Sequence, residues 1–314
     1  MQLVIIILAA VLGLSYGYNT DGFIFSSNIC LFAGLTLIMP TLFNVKLHDV
    51  KLIFQYRGVI AKSLLVNYII LPVIALAIGL LTHNFGIAAG LFMLSVLSGG
   101  GMVMHWIKKS DADTSIGFIL LFINLILISL SLLMLHVFGI YTSPYFDESY
   151  SNEVNVSNFA RAVIILLIIV PFIASRVILY IKPLQRLIEQ QRRYISSISI
   201  FVIIFYLFGL QNSQLLFELY DFEPELIYIS IVAVLAFYIA TFLLSKLLYK
   251  LHSRQERAAF WHSITRYITL ALVLSTFTTN TFGISMILPI MFAYIVQIPL
   301  AILTDKSMIA QKES

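Results

Sequence analysis

The chain has 314 residues, 60% of them hydrophobic and only 11% charged, with a formal net charge of +4 and a mean hydropathy of +0.98. Soluble domains run near about 25% charged and about 45–50% apolar, which argues against a soluble enzyme, a nucleic-acid binder and a disordered protein. The single cysteine, Cys30, excludes an internal disulfide and a cysteine-based zinc site.

What remains is an all-α polytopic membrane protein. A membrane helix needs about 20 mostly apolar residues. Ten spans are predicted, at 3–18, 23–43, 59–81, 86–107, 114–138, 161–181, 195–210, 226–248, 260–279 and 284–303, and no Asp or Glu falls inside any of them. The first lacks a positively charged start, and no small-x-small cleavage site follows Tyr16, Gly17 and Tyr18; it reads as a span rather than a signal peptide. Residues 45–56, apolar positions among Lys46 and Lys51, read as an interfacial helix, with 184–193 as its counterpart; a solvated linker is the alternative for each.

Basic residues set the orientation. Lys46, Lys51 and Arg57, then Lys108 and Lys109, then Lys182, Arg186, Arg192 and Arg193, then Lys250, Arg254 and Arg257, and finally Lys306 and Lys312 fall in alternate loops. The intervening loops carry Asp21, then Asp147, Glu148 and Glu153, then Glu218, Asp221, Glu223 and Glu225. Both termini are therefore expected in the cytoplasm, with the chain in the plasma membrane. Five spans stand on each side of the long loop 139–160, and an odd number inverts the second half. The expected organisation is a first five-helix repeat over 1–138, an extracytoplasmic linker over 139–160, a second repeat over 161–305 and a cytoplasmic tail over 306–314.

Two spans are polar where the bilayer is driest. Span four contains Ser98-Gly99-Gly100-Gly101. Each glycine costs a helix about 1 kcal/mol relative to alanine, so the triplet predicts an unwound segment, tolerated only beside protein or a water-filled cavity. Close packing through small residues is the alternative. Span nine contains Trp261-His262-Ser263-Ile264-Thr265-Arg266-Tyr267-Ile268-Thr269, with Arg266 its only charge. An intramembrane arginine is a functional candidate by default; snorkelling to the cytoplasmic side is the alternative. Arg176, Lys246 and Lys62, near span ends, read as snorkelling anchors.

These motifs resemble the bile acid:sodium symporter superfamily, including its arsenite-efflux branch. Span three has Asn67-Tyr68-Ile69-Ile70-Leu71-Pro72. Span four has Gly99-Gly100, Met102-Val103 and Trp106. Asp113 follows, then Asn124 in span five, Leu270-Ala271-Leu272 in span nine and Gln297-Ile298-Pro299 in span ten. Their order and spacing are closest to the arsenite branch. The resemblance implies ten helices in two inverted five-helix repeats, with helices four and nine broken and crossing. Spans three to five and eight to ten would form a core, and spans one, two, six and seven a panel.

The departures from the family pattern carry chemistry. Positions that supply sodium ligands in the sodium symporters fall on Val103, Met104, Gly117, Leu121, His262 and Arg266, and the cysteine and glutamate of the arsenite branch fall on Gly99 and Thr269. A proton is therefore expected as coupling ion rather than sodium, with His262 the candidate that titrates nearest neutrality. The expected function is a secondary transporter moving a small anionic or polar solute. Its site residues would be Asn67, Gly99, Gly100, Gly101, Asn124, His262, Ser263, Thr265, Arg266 and Thr269. The alternatives are an arsenite or metalloid efflux permease and a non-transporting receptor or assembly protein on the same fold. An intramembrane enzyme is not expected, because the spans hold no carboxylate and no metal-ligand spacing. No metal, cofactor or nucleic acid is expected as partner, only the solute and the lipid bilayer. Monomer and homo-oligomer remain open.

Overall fold

The computed structural model of the chain describes residues 2–24, 26, 28–43, 54–100, 102–148, 150, 165–211, 224–275 and 278–313. Most of the proposed interfacial helix 45–56, much of the loop 139–160 and Gly101 lie outside the described residues. The described residues are helical throughout, apart from turns and two isolated bridges. In chain order the helices are α1 (Gln2–Thr20), α2 (28–42), α3 (Arg57–Leu81), α4 (Phe85–Val96), α5 (Val103–Lys109), α6 (Thr114–Ile126), α7 (Ile128–Thr142), α8 (165–180), α9 (Lys182–Phe208), α10 (Pro224–Leu248), α11 (Arg254–Ile264), α12 (Ile268–Ser275), α13 (Thr279–Phe282) and α14 (Ile287–Glu313). Among the described residues, four helical segments are long and apolar enough to cross a membrane: Arg57–Leu81, Ile128–Phe146, Pro224–Leu248 and Ile284–Asp305.

Proline shapes three of the helices in the same way. The wide turns Gly34–Ile38, Val66–Ile70 and Ile165–Ile169 each end two residues before a proline, at Pro40, Pro72 and Pro171. Proline has no N–H, and its ring crowds the carbonyl one turn back. Widening that turn is one way for a helix to continue past it.

The helices sort into two packing groups. One holds α1, α2, α8 and α9, and the other holds α3 to α7 with α10, α11, α12 and α14. In the second group α4 is buried along all twelve of its residues. Gly90 lets α4 approach α14, since a Cβ there would strike the Met286 carbonyl and the Pro289 ring. At the far end of α4, Phe85, Phe138, Phe146 and Phe282 pack together, with ring centres 5.1–6.3 Å apart.

Several element boundaries differ from the hydropathy reading, each for a local reason. Helix α9 runs unbroken from Lys182 to Phe208, so residues 184–193 are the leading turns of that helix rather than a separate interfacial element. Helix α11 starts at Arg254, not near 260, because Ser253 caps it by accepting from Glu256 N. Ser253 and Glu256 have the capping-box spacing, a signal that a hydropathy window passes over. The fifth span is two helices that meet at Leu127, and α14 continues through the supposed tail to Glu313.

Two of the supposed snorkelling anchors have protein partners. Lys62 Nζ lies 2.7 Å from Glu256 Oε2, and Arg176 Nη2 donates to the Leu42 carbonyl at 3.1 Å. Lys246 is exposed on α10.

Candidate functional site at a helix crossing

Two helices stop in the middle of the second packing group, and they stop against each other. Helix α4 ends at Val96 and the chain turns helical again at Val103. Helix α11 ends at Ile264 and the chain resumes as α12 at Ile268. The two interruptions run antiparallel, with a bridge between Ser98 and Arg266. Gly99 N donates to the Thr265 carbonyl at 2.8 Å, and Tyr267 N donates to the Leu97 carbonyl at 2.9 Å. Each break thereby satisfies backbone groups that the other exposes, which is what a non-helical segment at membrane depth requires.

Gly99 is essential to this turn on two counts. Its φ of +64° is a left-handed conformation that costs other residues about 1–2 kcal/mol. A Cβ there would also run into the His262 ring. His262 is fully buried, and its Nε2 lies 2.9 Å from the Gly117 carbonyl. A carbonyl only accepts, so Nε2 carries the proton. Nδ1 then presents a lone pair beside Gly99, without a hydrogen-bond partner.

Arg266 is 1% exposed, which removes the snorkelling reading. Its Nη1 donates to the Ser95 carbonyl at 3.0 Å, and its Nη2 donates to the Ser263 carbonyl. Ser95 and Ser263 stand in the last turns of α4 and α11. A helix C-terminus carries about −0.5 of a charge, so two such ends together offset the guanidinium. Among the described residues no carboxylate pairs with Arg266. Burying an arginine at such depth costs about 3 kcal/mol or more when it is unsupported; here two helix ends supply the support.

Neighbouring helices hold the crossing in place. Gln297 of α14 accepts from Arg266 N at 2.5 Å and donates back to the Arg266 carbonyl at 3.3 Å. Tyr238 of α10 donates to the same Gln297 oxygen at 2.9 Å. On the other break, Asn124 of α6 donates to Ser98 Oγ at 2.7 Å.

Nine of the ten residues singled out in the sequence are described, and they occupy three sides of this crossing. Gly100, Thr265, Arg266 and Thr269 line one cavity. Asn67 and Ser263 meet on a second side, where Asn67 Nδ2 lies 3.4 Å from Ser263 Oγ and 2.8 Å from the Ser63 carbonyl. Asn124 and Gly99 border a separate, smaller pocket, and His262 packs between Gly99 and Gly117. Gly101 is outside the described residues. The Gly99 amide is bonded to Thr265, so it is not a free donor to an anion. Among the described residues no cluster of three or more metal-type side chains occurs.

The cavity lies between the two packing groups and encloses about 70 Å³. Thr36 and Pro40 of α2 and Ser196 and Ile200 of α9 face the crossing across it, with Tyr294 and Gln297 of α14 on the flank. Thr269 Oγ1 and Tyr294 Oη are 2.7 Å apart at its edge. Hydropathy and motif order pass over Thr36, Ser196 and Tyr294 as site residues, while Gln297 stands in the span-ten motif. Their signal is faint, a polar side chain in an apolar span.

A model described as the Sodium Bile acid symporter family matches residues 31–218 of the chain. No curated protein matches it.

Proposed function

The chain belongs to the sodium bile acid symporter family, and on that premise we propose that it is a secondary transporter carrying a small anionic or polar solute. Transport would proceed by alternating access, one packing group moving against the other. The observation that carries this reading is the cavity between the groups, set directly on two broken helices. At about 70 Å³ it suits a solute of a few heavy atoms in this conformation.

The reading extends to architecture. The two breaks, one in each half of the chain, support a ten-helix fold of two inverted five-helix repeats, 1–138 and 161–305. Loop charges support placing both termini in the cytoplasm and the protein in the plasma membrane.

Coupling would differ from a two-sodium mechanism. Arg266 occupies the crossing as a built-in cation, held by two helix-end carbonyls. Sodium wants several hard oxygen ligands, which Val103, Met104, Gly117 and Leu121 do not offer as side chains. A proton is the coupling ion we favour, with His262 Nδ1 as acceptor. Taking a proton there would press the ring off Gly99 and so link protonation to the geometry of the crossing.

The motif order also resembles the arsenite-efflux branch. The crowding of His262 on Gly99 leaves no room for a thiol at that position, so metalloid efflux is the weaker reading. The test is a thermal-shift screen of small organic and inorganic solutes on the purified protein, with and without sodium, followed by uptake of the hits into proteoliposomes. Stabilisation and uptake independent of sodium are expected. Transport that strictly requires sodium would overturn the coupling assignment, and binding without uptake would favour a receptor.

A further inference from the structure

The same two helices that flank the cavity are tied together beyond it. Met102 and Val103, at the start of α5, and Gln297 and Ile298, in α14, line its wall. Lys109 follows Val103 by six residues and Asp305 follows Ile298 by seven, about 9 and 10 Å along the helix axes. Seven residues are close to two helical turns, so Ile298 and Asp305 lie on one face of α14. At that end Lys109 Nζ stands 2.7 Å from Asp305 Oδ2.

The pair is built to be weak. The Asp305 side chain is 1% exposed and that of Lys109 is 47% exposed. Among the described residues, Lys109 is the one cation within ion-pair distance of the Asp305 carboxylate. The desolvation of this buried carboxylate is therefore offset by a single cation, and water reaching it relieves the cost. Lys109 has a second resting place when it leaves. Its ammonium already lies 5.3 Å from the centre of the Trp106 ring, within reach of a cation–π contact. Trp106 in turn stacks on Trp261 at 5.5 Å, and Trp261 Nε1 donates to Ser110 Oγ at 2.7 Å.

The other ion pairs among the described residues do a different job. Lys62–Glu256 joins α3 to α11, and Arg254–Asp111 joins α11 to the loop after α5. Neither touches α14. Lys109–Asp305 alone spans two walls of the cavity.

We infer that Lys109 and Asp305 form an ionic gate between the cavity and the end of the bundle where the basic loops cluster. Closed, the pair clamps α5 to α14; open, it leaves Lys109 on Trp106 and admits water and solute toward the crossing. This rests on reading the cavity as the solute path.

The experiment uses the full chain in lipid nanodiscs, with Cys30→Ser and Ser196→Cys placing one thiol in the cavity wall. The readout is its rate of labelling by a hydrophilic maleimide. Asp305→Asn and Lys109→Met should each raise that rate about fivefold, the factor that about 1 kcal/mol of opening gives. The charge-swapped Lys109→Asp/Asp305→Lys protein should return it to within about twofold of the parent. A thiol at Ala88, fully buried in α4, should stay protected throughout; if a single variant exposes it through loosened folding, the charge swap decides. Labelling at the parental rate in both single variants would overturn the gate, as would a swap as fast as the singles. No transported solute is needed, so a responding gate without any transport would sink the transporter reading alone.

Discussion

Arg266 Nη1 donates to the carbonyl of Ser95 at 3.0 Å across the crossing of α4 and α11. With the second bond, to Ser263 in the last turn of its own half-helix, the guanidinium sits between two negative helix ends. Its charge is used to join the breaks.

Arg266→Gln should therefore destabilise the fold as well as disable it. Glutamine cannot reach both carbonyls and brings no charge, so two helix ends are left facing each other. The expected loss is about 3–5 kcal/mol, the scale for removing one side of a buried charged interaction. Arg266→Lys should recover part of it, because a single ammonium lacks the planar fork. Thermal unfolding in nanodiscs checks the order wild type, Lys, Gln. A glutamine variant as stable and active as wild type would remove Arg266 from the crossing's framework.

Gly99→Ala should cost about 1–2 kcal/mol from backbone conformation alone, and more from collision with His262. His262→Ala removes the collision but not the φ of +64°. The double variant should thus be less destabilised than the sum of the singles, by about 0.5–3 kcal/mol of coupling. Strict additivity in thermal unfolding would show that the ring and the glycine do not meet.

Acid should weaken the tie between α3 and α11. Burial pushes the Glu256 carboxyl up, but hydrogen bonds from Lys62 and the Lys250 amide, with the charges of both lysines, outweigh it and hold the group below its ordinary 4.5. The folded form then takes the proton at lower pH than the unfolded chain does. The pair's contribution is complete above the unfolded value and disappears as pH falls through the folded one. Below a pH of about 4.5, the melting temperature of wild type should fall more steeply than that of Glu256→Gln. Parallel acid limbs would contradict this.

Topology is checked by labelling from one side of sealed vesicles. Tyr145 is 56% exposed after α7, and the Arg254 side chain is 61% exposed at the start of α11. Cysteines placed at these positions one at a time, in a Cys30→Ser background, should react from opposite faces. Reaction from the same face would refute the ten-span topology.

The membrane class and the positions of both breaks were legible in the chain. Glycine at Ser98–Gly101 and polarity at Trp261–Thr269 depart from helix chemistry locally, and local departures show in a linear string. The start of α11 was legible too, through Ser253 and Glu256, though only to a capping argument. The partners of the charges were not. Lys62 resembles any lysine at a span end until α11 brings Glu256 to it, 194 residues along the chain. Asp305 sits two residues beyond the hydropathy-defined span, so it reads as a solvated loop carboxylate, yet it is buried.

Composition and periodicity alone determine that this chain enters a membrane as helices and that its glycine-rich fourth span does not remain helical. Those properties depend on how each residue meets lipid, water and its own backbone, which are near neighbours in sequence. Only the tertiary structure decides that the two breaks meet, that Arg266 faces helix ends rather than the headgroups, and that a cavity opens beside them. Each of those outcomes is a contact between residues far apart in the chain, and such a contact exists only once packing has set the helices side by side.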